Sequence, residues 1–297
     1  MKSKAFLFIS LGADISIAIS KFIAAAITGS ASMISEAIHS MIDAVSQVLL
    51  IWGTKVSRKK ADEERPFGYG RELYFWSFIV SLIIFLLGGC ISFYEGLQRL
   101  RMPEFKGSPA WSYATLGIAF VFTGISMYSA RQAFNKQRGD TSFFEAITKS
   151  KDPSTFIVLL GDMGDMLGLI VAFLGIFLGR LLHNPYYDGI ASMIIGLILI
   201  AISLLLVRES KSLLMGETVS RPTVRRVISI TEADDAVIKV KKHFSVYMSP
   251  DEILLQLVAV FKKDLTTQQI TESIERITTI IQSEFPRMKQ IFIEPVK

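Results

Sequence analysis

The sequence predicts a polytopic α-helical membrane protein that ends in a small α+β domain. Three observations carry this. Of 297 residues, 51% are hydrophobic, with 21 Phe and 11 Met, a surplus that a bilayer solvates more readily than a water-soluble core of this length could bury. Six apolar stretches approach the roughly 20 residues that cross a bilayer core. Near residue 209 the pattern changes to one of mixed polarity.

The six stretches are 5–27, 31–54, 73–94, 110–130, 155–178 and 188–207. Lys2 and Lys4 precede the first without an Ala-x-Ala cleavage pattern, so it is expected to remain as a span. Asp14 and Lys21 interrupt the first span, and Glu36, His39 and Asp43 the second. Polar residues at such depth face protein or water rather than lipid. Orientation follows from the loops. The second-to-third loop carries Lys55, Arg58, Lys59, Lys60, Arg65 and Arg71, and the fourth-to-fifth carries Arg131, Lys136, Arg138, Lys149 and Lys151. The opposite side has Arg99, Arg101, Lys106 and Arg180. This excess of positive charge places both loops, and with them both termini, in the cytosol. Trp76, Trp111, Tyr113, Tyr186 and Tyr187 fall near span ends, as interfacial aromatics do.

In the tail, 221–232 reads as a helix. Residues 237–247 and 252–261 read as strands around the turn signal Met248-Ser249-Pro250-Asp251. Thr266 and Gln269 form a capping box, Ile270, Ile274, Ile277 and Ile280 give an apolar helical stripe, and Pro286 stops that helix. A short strand at 290–294 completes the order αββαβ, a ferredoxin-like domain. A unit of about 80 residues is marginal alone, so dimerisation is expected to help it. The expected division is 1–212 for the membrane domain and 213–297 for the cytosolic one.

The chemistry concentrates in two spans. His39 and Asp43 lie four apart, one turn apart on one helix face that Glu36 shares. An imidazole and a carboxylate held this way can ligate a borderline metal ion, or simply hydrogen-bond each other. Asp162 and Asp165 sit in an otherwise apolar fifth span at i, i+3 spacing. A cation between the second and fifth helices would relieve their repulsion and poor solvation; pairing with Lys21 is the alternative. Gly161, Gly164 and Gly168 would let another helix approach closely. Asp14 and Lys21, seven apart, read as a structural pair or as contacts to neighbours. Met163 and Met166 read as packing, and His183 and His243 as surface residues. The lone cysteine, Cys90, excludes a disulfide framework and a thiolate cage. An enzyme is not expected, since no nucleophile–base pair, phosphate loop or cofactor motif is present.

These residues resemble the cation diffusion facilitators, most closely the branch typified by the ninth human zinc transporter. The resemblance rests on Lys21, Thr28-Gly29-Ser30-Ala31-Ser32-Met33, Glu36, His39, Ser40 and Asp43. It continues through Arg65-Pro66-Phe67-Gly68-Tyr69-Gly70-Arg71, Tyr74-Phe75-Trp76, Asp188, Ser192 and Ile195-Gly196. It ends with Leu213-Leu214-Met215-Gly216-Glu217 and Ile291-Phe292-Ile293-Glu294-Pro295. It implies a homodimer in a lipid bilayer, each protomer with six helices and a cytosolic ferredoxin-like domain, exchanging divalent metal ions for protons. It also implies a four-ligand site, here His39, Asp43, Asp162 and Asp165. The fifth helix departs from the family's i, i+4 pattern, because Gly161 stands four before Asp165 and Met166 four after Asp162. Tyr69 stands where many members have a histidine, and His243 is alone where a binuclear site wants several, so the tail is expected to dimerise more than to sense metal.

The expected cargo is Zn²⁺, with Mn²⁺ or Fe²⁺ as alternatives because the donor set is oxygen-rich; no tightly bound cofactor and no nucleic-acid partner are expected. The expected location is the plasma (bacterial inner) membrane. The expected mechanism is alternating access, with protons competing for the ligands. A passive divalent-cation channel and a non-transporting scaffold are the rival readings.

Overall fold

Segments of this composition form helices because an α-helix pairs its backbone donors and acceptors within the segment, while Leu, Ile, Phe and Ala offer apolar side chains to lipid. The computed structural model describes residues 2–102, 110–138 and 151–296. Six long helices lead: α1 (Lys2–Thr28), α2 (Ala31–Ser57), α3 (Glu72–Arg101), α4 (Ala110–Arg138), α5 (Pro153–Leu181) and α6 (Tyr186–Met215). Helices α2 to α6 each contain a stretch long and apolar enough to cross a membrane, and α1 contributes the apolar segment Ile15–Thr28. The spans run past the sequence-based limits, α3 to Arg101 and α4 to Arg138. Lys106, Lys149 and residues 139–150 of the predicted fourth-to-fifth loop lie outside the described residues.

The distribution of polarity is inverted relative to a water-soluble bundle. Ile19, Ile23, Val48, Val121, Phe122, Phe173 and Leu197 are exposed, whereas Ser32, Ser35, Glu36, His39, Ser77, Ser81, Ser92 and Ser192 are buried. Hydroxyls tie helices together inside: Ser35 and Ser192 share a hydrogen bond of 2.5 Å, and Ser192 Oγ donates to the Ser92 carbonyl at 2.8 Å. Gly29, at φ 58°, turns the chain from α1 into α2 within two residues. The Asp188 carboxylate of α6 caps α2. It accepts from Ser30 Oγ (2.6 Å), Ala31 N (2.6 Å), Ser32 N (3.3 Å) and Ser32 Oγ (2.5 Å). These include backbone donors that a helix N-terminus leaves unsatisfied.

Helix α3 is not uniform. Residues Ile84–Cys90 form a π-helical segment between two α-helical ones. From there on, small residues bring α3 and α6 to backbone contact. A Cβ on Gly196 would stand 2.5 Å from Phe93 N, and one on Gly96 would stand 2.6 Å from Met193 N. The chain divides into two compact units, Met1–Lys55 with Phe75–Lys211, and Val56–Tyr74 with Ser212–Lys297.

The second unit holds α7 (Arg221–Glu232), β1 (Val237–Ser249), β2 (Glu252–Phe261), α8 (Thr267–Glu284) and β3 (Met288–Val296). The sheet order is β1-β2-β3, with β1–β2 antiparallel and β2–β3 parallel through the α8 crossover. This is the αββαβ, ferredoxin-like arrangement. Alternation along β2 buries Ile253, Leu255, Leu257, Ala259 and Phe261 against Val227, Ile277, Ile281 and Met288. One expected core residue is misplaced by the sequence reading: Ile280 is 49% exposed, and Ile281 closes the stripe that Ile270, Ile274 and Ile277 begin. The 3.6-residue period carries the buried face from 277 to 281 rather than to 280. Arg226 holds Glu284 by two bonds of 2.7 and 2.9 Å, tying α7 to α8. Gly216, at φ 103°, turns the chain out of α6. The 56–74 segment belongs to this unit through Gly70, where a Cβ would meet the Met248 carbonyl at 2.6 Å. Within it the Tyr69 hydroxyl donates to Asp62 at 2.7 Å, which holds the Asp62 carboxyl below its usual value.

Candidate metal centre

Helix α2 presents Glu36, His39 and Asp43 along one face because three- and four-residue steps return to nearly the same azimuth. Helix α5 starts at the Asp152 cap, whose side chain accepts from Ser154 N, with Pro153 at the first helical position. Its glycines then let α2 approach. A Cβ on Gly164 would stand 4.0 Å from His39 Cε1, and one on Gly168 would overlap Glu36 Oε1.

Three of the four residues that the sequence singles out converge. His39 Nε2 lies 3.5 Å from Asp43 Oδ2 and 3.1 Å from Asp165 Oδ1. One ligand atom from each of His39, Asp43 and Asp165 falls within 4.8 Å of the others. His39 is buried and the two aspartates are partly so. Asp43 Oδ2 and Asp165 Oδ1 have no hydrogen-bond partner among the described residues, nor does His39 Nδ1. Two carboxylate oxygens and an imidazole nitrogen left facing one another form a donor set for a divalent ion.

Asp162 stands apart from this cluster. Half-buried one turn earlier on α5, its Oδ2 accepts from Ser126 Oγ of α4 at 2.9 Å. Position 161, four residues before Asp165, opens onto space: a Cβ there meets nothing within 4 Å. Lys21 belongs to neither aspartate by hydrogen bond. Its Nζ donates to Glu36 Oε2 at 2.9 Å and to Ser40 Oγ at 2.7 Å, with Lys21 and Glu36 only 3% and 0% exposed. The side chain of Asp14, offered as a partner for Lys21, lies outside the described residues. The sequence reading missed Ser126 and the Lys21–Glu36 pair. The signal for the pair was one intramembrane cation facing several acids, which charge alone does not resolve.

Residues 7–215 match the family described as the cation efflux transmembrane domain. The chain belongs to that family. It is similar to the mouse protein named proton-coupled zinc antiporter SLC30A9, mitochondrial, 34% identical over 219 residues, which are 73% of this chain and 39% of that one. The human SLC30A9 matches to the same extent. The chain thus spans about two-fifths of these relatives' length. The manganese efflux system protein MneP of Bacillus subtilis (strain 168) is 22% identical, over 89% of this chain and 86% of its own. Among solved structures, the C-terminal domain of MamM in its nickel form covers 26% of this chain and 96% of its own, at 14% identity and a TM-score of 0.25. As a member of the cation efflux family, the chain is a multi-pass membrane protein.

Proposed function

We propose that this chain exports a divalent transition-metal ion, zinc, in exchange for protons, by alternating access at His39, Asp43 and Asp165. The observation that carries the reading is the convergence of His39 Nε2, Asp43 Oδ2 and Asp165 Oδ1, with both carboxylate oxygens unpartnered among the described residues. An ion there would offset the repulsion of two partly buried carboxylates and engage oxygens that have no hydrogen-bond partner among the described residues. Asp162, one turn along α5, completes a tetrahedral set by releasing Ser126. Ligation requires neutral imidazole and ionised carboxylates, so protons compete with metal and a proton gradient drives release. The names of the SLC30A9 relatives support zinc and proton coupling. An oxygen-rich donor set, together with the name of MneP, favours manganese as the second reading.

The excess of positive loop charge supports both termini being cytosolic, and the membrane we propose is the plasma (bacterial inner) membrane. Residues 1–212 act as the transport domain, and 213–297 as a domain that joins two protomers. The test is uptake of Zn²⁺, Mn²⁺, Fe²⁺ and Co²⁺ into proteoliposomes, with and without a pH gradient, for wild type and Asp43→Ala. Saturable, gradient-dependent zinc flux lost in the variant is expected. Flux that ignores the gradient sinks the antiport, and unchanged flux in the variant sinks the site.

A further inference from the structure

The Lys21–Glu36 pair lies one turn beyond the ligand cluster, toward the α1–α2 turn. On α2, Glu36 precedes His39 by three residues, and on α5, Gly168 follows Asp165 by three. Each step is an axial rise of about 4.5 Å. Asp162 lies one similar step away in the opposite direction. Carboxylates therefore recur along the α2–α5 seam, Asp162 and Asp165 one turn apart on α5, and Asp43 and Glu36 two turns apart on α2 with His39 between them. The two ends differ. Asp162 is half-buried beside Ser126, whereas Glu36 is fully buried and closed off by Lys21.

Glu36 is only half satisfied. Its Oε2 receives Lys21 Nζ, but Oε1 has no hydrogen-bond partner among the described residues. That oxygen points at α5, into the space that Gly168 leaves by lacking a side chain. An unpaired oxygen on a buried carboxylate is costly. A packing role would be served as well by a residue without that cost. Lys21 also carries the cation that acts on Asp165 and Asp43, so the charge on the seam is already partly balanced from the α1 side.

We propose that Glu36 is the next ligand on the cation's route beyond the cluster, and that Lys21 is a tethered cation occupying that ligand until the travelling ion displaces it. This rests on the transport reading above. A divalent ion at His39, Asp43 and Asp165 repels the Lys21 ammonium. Lys21 then lets go of Glu36, and the free Glu36 carboxylate takes the ion one turn onward from His39. When the ion leaves, Lys21 returns and closes the seam behind it. Glu36 thus sets the rate of passage rather than the affinity of the cluster.

The experiment uses the full chain. Zn²⁺ binding in detergent and Zn²⁺ flux in proteoliposomes are measured for wild type, Glu36→Gln, Lys21→Gln with Glu36→Gln, and Asp43→Ala. The double variant guards against misfolding, since removing both partners leaves no uncompensated buried charge. Both Glu36→Gln variants are expected to bind zinc within about threefold of wild type and to lose about tenfold or more in flux, the loss of one charged ligand. Wild-type flux in either variant overturns the proposal. A parallel loss of binding and flux in both also overturns it, because Glu36 would then merely support the cluster. Failure of Asp43→Ala to weaken binding strikes the transport site itself, and absence of wild-type flux overturns both readings.

Discussion

Replacing Asp188 by Ala removes the carboxylate that joins the start of α6 to the start of α2. Four donors lose their acceptor at once: Ser30 Oγ, Ala31 N, Ser32 N and Ser32 Oγ. Ser32 is fully buried, so its groups cannot turn to solvent, although Ser30 Oγ at 3.0 Å remains a partner for its hydroxyl. Loss of a helix cap costs about 0.5–2 kcal/mol. A hydrogen bond to a charged group contributes about 1.5–3 kcal/mol. The four bonds share one partly exposed carboxylate and do not add, so the sum of one cap and one charged bond, about 3 kcal/mol, is the working figure. At about 2–4 °C per kcal/mol for a chain of this size, the melting temperature falls by about 6–12 °C. Asp188→Asn keeps an acceptor oxygen for the serines but turns an amide toward Ala31 N, so its loss is intermediate. The assay is thermal unfolding of the purified protein in detergent, read by loss of the monodisperse peak in size exclusion. An Ala variant that melts within about 1 °C of wild type would refute the capping argument.

Four further outcomes are expected. In Gly196→Ala the new Cβ meets backbone atoms, Phe93 N at 2.5 Å and Gly89 O at 2.9 Å. Helix α3 must therefore move away, lowering stability by about 1–3 kcal/mol in the same melt. Gly161→Ala meets nothing within 4 Å and should gain about 0.5–1 kcal/mol by removing a mid-helix glycine. Gly161→Asp should tighten zinc binding by about tenfold in equilibrium dialysis if the added carboxylate joins Asp165 on one face. In the C-terminal unit, burial pushes the Asp234 carboxyl up. The Ala236 N–H, Ser273 and Arg276 outweigh that and hold it below its usual value. A depressed carboxyl stabilises above its unfolded value and loses that contribution as pH falls through the folded one. Hydrogen exchange at Ile277 and Ile281 should therefore accelerate from about pH 4 downward, and less so in Asp234→Asn.

What the sequence made legible was set by local periodicity. The apolar spans, the alternation of β2 and the Thr266–Gln269 box depend on neighbours within a few residues, and they form where expected. His39 with Asp43 was legible for the same reason. The partner of Lys21 was not: its ammonium lies 15 residues from Glu36, and choosing among several acids needs the helix packing. The α2 cap was hidden for the same reason, since Asp188 and Ala31 are 157 residues apart. Asp162 and Asp165 look equivalent in spacing, yet only the second turns toward His39, because the first meets Ser126 of α4.

The π-helical stretch Ile84–Cys90 has a consequence for how α3 tolerates changes in length. Along the seam, Gly89 lies against Ile200, Phe93 against Gly196 and Gly96 against Met193, an antiparallel ladder with no slack. Deleting a residue after Cys90 would turn everything upstream by about 100° relative to that ladder, or push it along by about 1.5 Å. Within 84–90, hydrogen bonds already reach five residues back rather than four, so the helix there carries a spare residue. Removing one from that stretch would let the backbone relax to ordinary α pitch while the seam on its far side keeps its phase. The irregular turn is thus the place in α3 where a deletion can be absorbed, much as an expansion joint takes up length that the rails on either side cannot.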